Sequence, residues 1–148
     1  MDSGGASMKY VIMVSHGEFA PGLHSAVEMM TGKREDVLST SLTADMGTPE
    51  FIENFEQLIE PITQDDEIIL LADILSGSPF TSSLSVLDKR GMMGKTMVFA
   101  GMNMPLAVSA VLMKDNMDGD ILKESLLSEG QVGLCIFEQA SDDSDDDI

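Results

Sequence analysis

The chain has 148 residues, 43% of them hydrophobic, and a formal net charge of −18. This length and composition fit one globular domain with a sizeable core, and no apolar run approaches the ~18 residues of a membrane span. Because such an acidic surface would repel phosphates, we expect no nucleic-acid partner and no charge-driven contact with anionic lipid. Without a signal-peptide pattern, the expected location is cytoplasmic.

Both ends of the chain differ from the middle in composition. Residues 1–7 precede a second methionine, Met8, and are interpreted as a leader or a cloning scar. Residues 139–148 are expected to be a disordered acidic tail, which leaves 8–138 as the functional domain. The single cysteine, Cys135, excludes an internal disulfide and a cysteine-based metal site. Five aspartates carry the charge of the tail: Asp142, Asp143, Asp145, Asp146 and Asp147.

The first half of the chain alternates predicted strands with predicted helices. Residues 11–14 form a continuous apolar run, typical of a buried strand, that ends at Ser15-His16-Gly17. An amphipathic helix is predicted from about 19 to 30, where Thr31-Gly32 closes it. A second strand over 37–42 follows, and then a helix that begins at Thr48-Pro49 and ends before Pro61.

The second half repeats the alternation. Residues 67–72 form another apolar strand, which ends on Asp73 and is followed by a loop rich in glycine, serine and proline. Strands that are apolar throughout and alternate with helices indicate a parallel sheet covered on both faces, so the predicted fold class is a three-layer α/β sandwich. The remaining predicted elements are a helix over 81–88, a strand over 95–100, a loop over 101–105, helices over 106–113 and 121–127, and a last strand over 131–137.

Three loops of this fold are expected to meet. Right-handed crossovers place every strand-to-helix loop of a parallel sheet at the same edge, where ligands usually bind. That edge would hold His16 with its neighbours, the loop over 73–80 and the loop over 101–105. We therefore expect a site made of a histidine, a carboxylate and backbone N–H groups. Its supporting rim residues would be Ser15, Ser76 and Asn103.

His16 and Asp73 suit each other chemically. A carboxylate that accepts a hydrogen bond from one ring nitrogen fixes the tautomer, so the other nitrogen presents its lone pair as a nucleophile. The Gly77-Ser78 turn leads into a helix, whose N-terminus favours an anion such as phosphate. The bland alternatives are a structural histidine at a strand end and a loop that only turns the chain.

Other kinds of site are disfavoured by what the sequence lacks. It has no Walker glycine-lysine loop for ATP, and neither arginine, Arg34 nor Arg90, falls on the predicted edge. One histidine and one aspartate are too few ligands for a metal, and His24 falls inside the first helix, where we expect a surface or groove histidine. We therefore expect neither a metal nor a cofactor.

The order and spacing of these pieces resemble the mannose-type (mannose/fructose/sorbose) enzyme IIA component of the bacterial phosphoenolpyruvate-dependent sugar phosphotransferase system. The resemblance covers residues 8–137. Three matching pieces carry it: the apolar strand ending in His16-Gly17, then Asp73 with Gly77-Ser78-Pro79-Phe80, and then Gly101-Met102-Asn103-Met104-Pro105-Leu106.

The resemblance implies a phosphohistidine carrier. His16 would accept a phosphoryl group on Nε2 from the histidine-containing phosphocarrier protein and pass it to a IIB component. Asp73 would hold the other side of the ring. Backbone N–H groups and Ser78, with Gly17 and Gly77, would bind the phosphoryl oxygens. The membrane would be reached only through a IIC/IID permease.

The resemblance also implies a homodimer. Its fold would be a four-strand parallel sheet plus one antiparallel strand, 131–137, exchanged with the partner. The chain departs from the family at two places: Ile74-Leu75 stand where relatives often carry an aromatic residue, and Ser76 replaces a frequent glycine. A related branch of the family serves dihydroxyacetone kinase. We rank that branch low, because its Met-Gly-Ser pattern is missing from residues 73–80. Two alternatives stay open: a regulatory module that senses the phosphorelay, and a histidine-nucleophile phosphoesterase, although Ser15 stands where such enzymes need arginine.

Overall fold

The structure, a computed structural model, describes residues 7–140 and contains one sheet of four parallel strands in the order β2-β1-β3-β4. This confirms the predicted α/β fold with a four-strand parallel sheet. In the described residues the elements are β1 (Lys9–His16), α1 (Phe19–Thr31), β2 (Val37–Leu42), α2 (Thr48–Leu58), β3 (Glu67–Ala72), α3 (Ser78–Lys89), a 3-10 turn (Met93–Lys95), β4 (Thr96–Ala100), α4 (Met104–Met113) and α5 (Gly119–Val132).

Both faces of the sheet are covered, which is why its central strands are apolar throughout. Alternate residues of β1 enter opposite core layers, with Val11 and Met13 on one side and Ile12 and Val14 on the other, all fully buried. The first layer is completed by α1, α4 and α5, and the second by α2 and α3. Each such side chain contributes about 1.5–3 kcal/mol by leaving water.

The strand order creates a switch point between β1 and β3. The chain leaves β1 toward β2 on one side and returns past it to β3 on the other, so the loops after β1 and β3 diverge from one crevice. In the register of these two strands Val14 lies opposite Ala72, so His16 and Asp73 both emerge at this edge. The topology alone thus makes these two side chains neighbours.

Helices α3 and α5 differ most from the predicted ones, and α4 begins at Met104, two residues earlier than expected. Helix α3 begins at Ser78, three residues earlier than expected, because Gly77 is extended and Pro79 suits the first helical turn. Helix α5 spans Gly119–Val132, longer than the predicted 121–127 at both ends. It therefore takes up residues 131 and 132, which were predicted as strand.

The rest of the predicted last strand has no regular secondary structure. Residues 133–140 are all exposed, and the antiparallel strand and its exchange between two chains stay predictions. Residues 1–6 and 141–148, which include most of the predicted leader and all five aspartates of the predicted tail, lie outside the described residues. In the described part, no helix is both long and apolar enough to cross a membrane.

A buried ionic cluster joins α4 to the start of β2, far from the loops after β1 and β3. Lys114 is 1% exposed, and its Nζ donates to Asp36 Oδ2 at 2.7 Å and to Asp115 Oδ2 at 3.1 Å. Arg34 donates to both carboxylate oxygens of Asp36, at 2.9 and 2.8 Å. Hydrogen bonds from Arg34 lower the pKa of Asp36 most; burial opposes this and Lys114 adds to it, so the pKa lies well below its usual range.

We expect Asp36→Asn to destabilise the protein by about 3 kcal/mol at neutral pH, because Lys114 would remain buried with only the exposed Asp115 as a charged partner. The measurement is the free energy of unfolding from urea titrations. Asp88→Asn, a change at an exposed carboxylate, is the matched control and should stay within about 0.5 kcal/mol of the parent.

The effect has a defined pH dependence. Folding lowers the pKa of Asp36 below its ordinary value of 3.8. The contribution of this carboxylate to the stability of the fold is therefore fully present above pH 3.8 and is lost as the pH falls below that value. The difference in the free energy of unfolding between the parent and Asp36→Asn should therefore become smaller as the pH is lowered. A gap that is constant or widens toward low pH would contradict the assigned role of this carboxylate.

Candidate functional site

His16 and Asp73 are joined by two hydrogen bonds to one oxygen. Asp73 Oδ2 accepts from the backbone N–H of His16 at 2.9 Å and lies 2.8 Å from the ring Nδ1. The pairing predicted from the sequence is thus present, and it is tighter than a side-chain contact alone. The carboxylate fixes both the main chain and the ring of the histidine.

The carboxylate of Asp73 is itself held in place. Its backbone N–H donates to Val14 O at 3.2 Å, which extends the β1–β3 ladder by one residue, and its Oδ1 accepts from the N–H of Ile74 at 2.9 Å. Burial raises the pKa of Asp73, but the N–H groups of His16 and Ile74 and the His16 ring lower it by more, so the pKa lies below its usual value. The group is therefore ionised at neutral pH.

This arrangement leaves one ring nitrogen free to react. An ionised carboxylate can only accept, so Nδ1 carries the proton and Nε2 carries the lone pair. The His16 side chain is 45% exposed, whereas that of Asp73 is 12% exposed. The ring thus lies on an open surface, and the largely covered carboxylate can stabilise positive charge on it, an arrangement that would suit a nucleophile.

Gly77 makes room for the ring. A Cβ at this position would lie 2.7 Å from His16 Cε1, closer than real contacts allow, and 3.3 Å from the side chain of Ile74, which is tighter than most. The glycine therefore permits the loop after β3 to pass directly against the imidazole. It is also the N-cap of α3, with extended backbone angles.

The N-terminus of α3 lies at the same place. No side chain caps this helix, so the first-turn N–H groups have no partner within it, and the exposed Ser78 adds a hydroxyl. These groups and the helix dipole favour an anion beside the His16 ring. The N–H of Gly17 is different, because it donates to Leu42 O at 2.8 Å and is not available to an anion. Gly17, with φ +58°, serves the turn after β1.

The three predicted rim residues make different local contacts, and the contacts of Asn103 are with α4 and α5 and not with His16. Ser15 is fully buried beneath it, accepting from the N–H of Ala20 at 2.6 Å and donating to the carbonyl of His16 at 3.1 Å. Ser76 has φ +65°, and its hydroxyl donates to Leu75 O at 2.6 Å, so it shapes the loop. Asn103 uses its amide to cap α4 and to hold the end of α5, accepting from the N–H of Leu106 and donating to Gly130 O.

Some features near His16 were not singled out from the sequence as site residues. Phe19, Ile74 and Leu75 are large apolar residues with exposures of 47%, 54% and 68%. Ile74 and Leu75 could have been noticed, because they are the large aliphatic residues in a loop otherwise rich in glycine, serine and proline. Unlike His16, His24 lies in α1, where its partly buried ring bonds through Nδ1 to Ser39 Oγ at 2.7 Å.

Comparisons with known proteins give the family of this chain. The family model described as "PTS system fructose IIA component" (EIIA-man) matches residues 10–127. A fructose-specific EIIA component from Bacillus subtilis (strain 168) is 22% identical over 107 residues, covering 72% of this chain and 71% of that protein.

Solved structures show the same fold. A phosphotransferase system EIIA component from Streptococcus agalactiae superimposes with a TM-score of 0.76 at 25% identity, over 87% of this chain and 97% of its own. A mannose/sorbose-specific IIA subunit from Enterococcus faecalis gives a TM-score of 0.77 at 21% identity, over 90% and 98%.

The fold and these matches define a protein of the phosphotransferase type. The chain belongs to the PTS fructose IIA (EIIA-man) family and is a IIA component of a sugar phosphotransferase system. The family resemblance seen in the sequence is thereby confirmed.

We expect Gly77→Ala to displace the His16 ring and break its Nδ1 hydrogen bond to Asp73, because the added methyl group would lie only 2.7 Å from Cε1 of the ring. A rotated half-exposed side chain costs little, so the free energy of unfolding should fall by no more than about 1.5 kcal/mol. Nitrogen-15 NMR of the ring would show the change as a mixture of tautomers.

Gly94→Ala is the matched control, since a Cβ there meets nothing within 4 Å. Its ring signals should be those of the parent. Unchanged ring signals in Gly77→Ala would show that the loop and the imidazole are not in the close contact described above.

Proposed function

We propose that this IIA component is a cytoplasmic phosphohistidine carrier, which accepts a phosphoryl group on His16 from the histidine-containing phosphocarrier protein and passes it to a IIB component. The observation that supports this most is the double hydrogen bond of Asp73 Oδ2 to the N–H and Nδ1 of His16. It selects Nε2 as the reacting atom and aligns it before any partner arrives.

The proposed transfer balances without a further reactant. The Nε2 lone pair attacks the phosphorus of the donor's phosphohistidine, an N–P bond forms, and the donor imidazole leaves with its electron pair. The His16 ring gains positive charge while Nδ1 keeps its proton, and the ionised Asp73 stabilises that charge. The reverse of this step, with an acceptor on IIB, discharges the group.

The phosphoryl oxygens need donors beside the ring. The first-turn N–H groups of α3 and the hydroxyl of Ser78 supply them in this proposal, with Gly77 allowing their close approach. Helix N–H groups are preorganised, so they stabilise charge on the transferring group without having to move. Gly17 supports the turn instead, since its N–H is already bonded.

The surroundings of His16 suit a protein partner better than a small substrate. The ring is half-exposed, and Phe19, Ile74 and Leu75 present apolar surface next to it. Apolar contacts at the centre of an interface exclude water from the transferring group, and the acidic chain would attract a partner with a basic face. A phosphoesterase has no comparable support, because such enzymes enclose their substrate with cationic side chains.

We expect the parent protein to gain the mass of one phosphate on incubation with phosphoenolpyruvate, enzyme I and the phosphocarrier protein, and His16→Ala to gain none. The two histidines of the chain provide a matched pair, so His24→Ala should be labelled like the parent. Intact-mass spectrometry measures the gain, and its loss in acid identifies a phosphohistidine.

Labelling that survives His16→Ala would overturn the site, and a well-folded parent that takes no phosphate would overturn the carrier function. Addition of a IIB component separates the remaining possibilities. Discharge of the labelled protein onto IIB supports the carrier, whereas a stable label that IIB cannot remove supports a regulatory module.

We further propose a homodimer in which residues 133–137 of each chain, the part of the predicted strand that α5 leaves free, pair antiparallel to β4 of the other. Two observations support it: β4 is an edge strand of the described sheet, and the segment after α5 exposes three large apolar side chains. Leu134, Ile136 and Phe137 are 86%, 87% and 88% exposed. Pairing with a partner's edge would satisfy both the free backbone of β4 and these side chains.

We expect the full chain to sediment at about twice its mass of 15.9 kDa, and a variant that ends at Val132 to sediment as a monomer. Removal of 141–148 alone is the control and should leave the dimer intact. Analytical ultracentrifugation gives the masses. A full chain that stays monomeric at tens of micromolar would contradict the exchange.

A further inference from the structure

The C-terminal end of α5 is fastened to the start of α4 by one side chain. Asn103 Nδ2 donates to Gly130 O at 2.8 Å, and Asn103 Oδ1 accepts from the N–H of Leu106 at 2.9 Å. The N–H of Leu134, which would bond to Gly130 O if the helix continued, bonds to Gln131 O at 3.3 Å. Asn103 therefore takes a carbonyl of the last helical turn and caps both helices at once.

Two glycines let the ends of these helices touch. A Cβ on Gly133 would lie 2.7 and 3.0 Å from the ring of Pro105, and a Cβ on Gly130 would lie 3.3 Å from the side chain of Leu106. The Pro105 ring is part of the main chain in the first turn of α4, so it cannot turn aside. Glycine is therefore required at residue 133 for the chain to leave α5 so close to Pro105.

The direction of α5 decides where the following segment can go. Gly119, at the start of the helix, lines a cleft with Thr96, the first residue of β4. Gly130, near the end of the helix, lines another cleft with Ala100, the last residue of β4. Helix α5 thus runs in the same direction as β4, and a segment that pairs antiparallel to β4 of its own chain must reverse its direction directly after the helix.

The chain has no loop in which to make that reversal. Connections from a helix to a strand usually take about 2–6 residues, whereas Gly133 alone separates α5 from Leu134, the first apolar residue after the helix. Gly133 has φ −70° and ψ −17°, helical values that continue the course of α5. The segment accordingly lies off its own sheet, with residues 133–140 all exposed.

We propose that the fastened, loop-free end of α5 makes the segment 133–137 pair with β4 of a second copy instead of β4 of its own chain. The residues that impose the exchange are Asn103, Gly130 and Gly133, and the inference rests on the proposed homodimer. A connection too short to reverse keeps the apolar segment from its own sheet edge, and an identical chain offers the same edge. Asn103, predicted as a rim residue of the site, is then a positioning residue for assembly.

The first test lengthens the connection. About six glycine and serine residues inserted between Gly133 and Leu134 keep the fastened helix end and supply the missing loop. The segment can then pair with its own β4 at an effective concentration on the order of millimolar, so we expect the dissociation constant of the dimer to rise at least about a hundredfold. The same insertion between Ala44 and Asp45, in the exposed loop before α2, is the matched control and should leave the dimer unchanged.

Amide hydrogen exchange shows where the segment goes. In the monomer formed by the insertion, the amides of 134–137 should be protected, as expected for a strand that is paired with β4 of its own chain. A dimer of undiminished affinity would overturn the inference. So would a monomer in which these amides exchange freely, because the insertion would then have broken the dimer without closing the chain.

A single substitution tests the fastening. Asn103→Asp keeps the cap on α4, because a carboxylate also accepts from the N–H of Leu106, but it cannot donate to Gly130 O. The last turn of α5 can then unwind and supply residues to a loop, so the dissociation constant measured by sedimentation should rise about tenfold. Asn116→Asp, at an exposed asparagine, is the matched control and should leave it unchanged. An unchanged value in Asn103→Asp would overturn the role of Asn103.

The parent protein separates this inference from the proposals on which it rests. Sedimentation of the parent tests the dimer, and phosphorylation of His16 in the parent tests the carrier function. A phosphorylated dimer that keeps its affinity in both variants would overturn the role of the fastened helix end alone. A monomeric parent would overturn the exchange as well.

Discussion

The site depends on one carboxylate oxygen. Asp73 Oδ2 accepts from the main chain and from the ring of His16, while Asp73 Oδ1 accepts from Ile74. These bonds join the ends of two neighbouring strands, β1 and β3, and turn the imidazole so that one nitrogen faces solvent. The orientation of the loop, the tautomer of the ring and the negative charge beside it all follow from this one contact.

The rest of the fold keeps that contact in register. The β1–β3 ladder continues through the Asp73 N–H to Val14 O, and Ser15 braces the carbonyl of His16 from the buried side. Gly77 then brings the N-terminus of α3 against the ring. These supports fix the main chain around His16, although its side chain is half-exposed.

Much of this could be predicted from the sequence because the signals are local. Continuous apolar runs marked β1 and β3, and the chemistry at their ends marked His16 and Asp73. The early start of α3 was missed, because the loop residues Ser78 and Pro79 also suit the first turn of a helix. The Asp36–Lys114 pair could not be predicted, since 78 residues separate its members and nothing local joins them.

The end of the chain shows a different limit. Apolar residues over 132–137 favour a strand, yet a strand needs a neighbour to accept its hydrogen bonds, and the described chain leaves 133–140 without one. A pattern in one chain can specify a structure that forms only between two. The helix meanwhile takes residues 131 and 132, where its own backbone supplies the bonds.

The hydrogen bond from the backbone N–H of His16 to Asp73 does not depend on the imidazole side chain. Any amino acid other than proline at that position would still donate its N–H to the carboxylate, so the loop could keep its shape without an imidazole. Over evolutionary time such a scaffold can gain or lose the reactive group by a single substitution. A protein that keeps this fold and this loop but lacks the histidine therefore differs from the present chain by a single substitution.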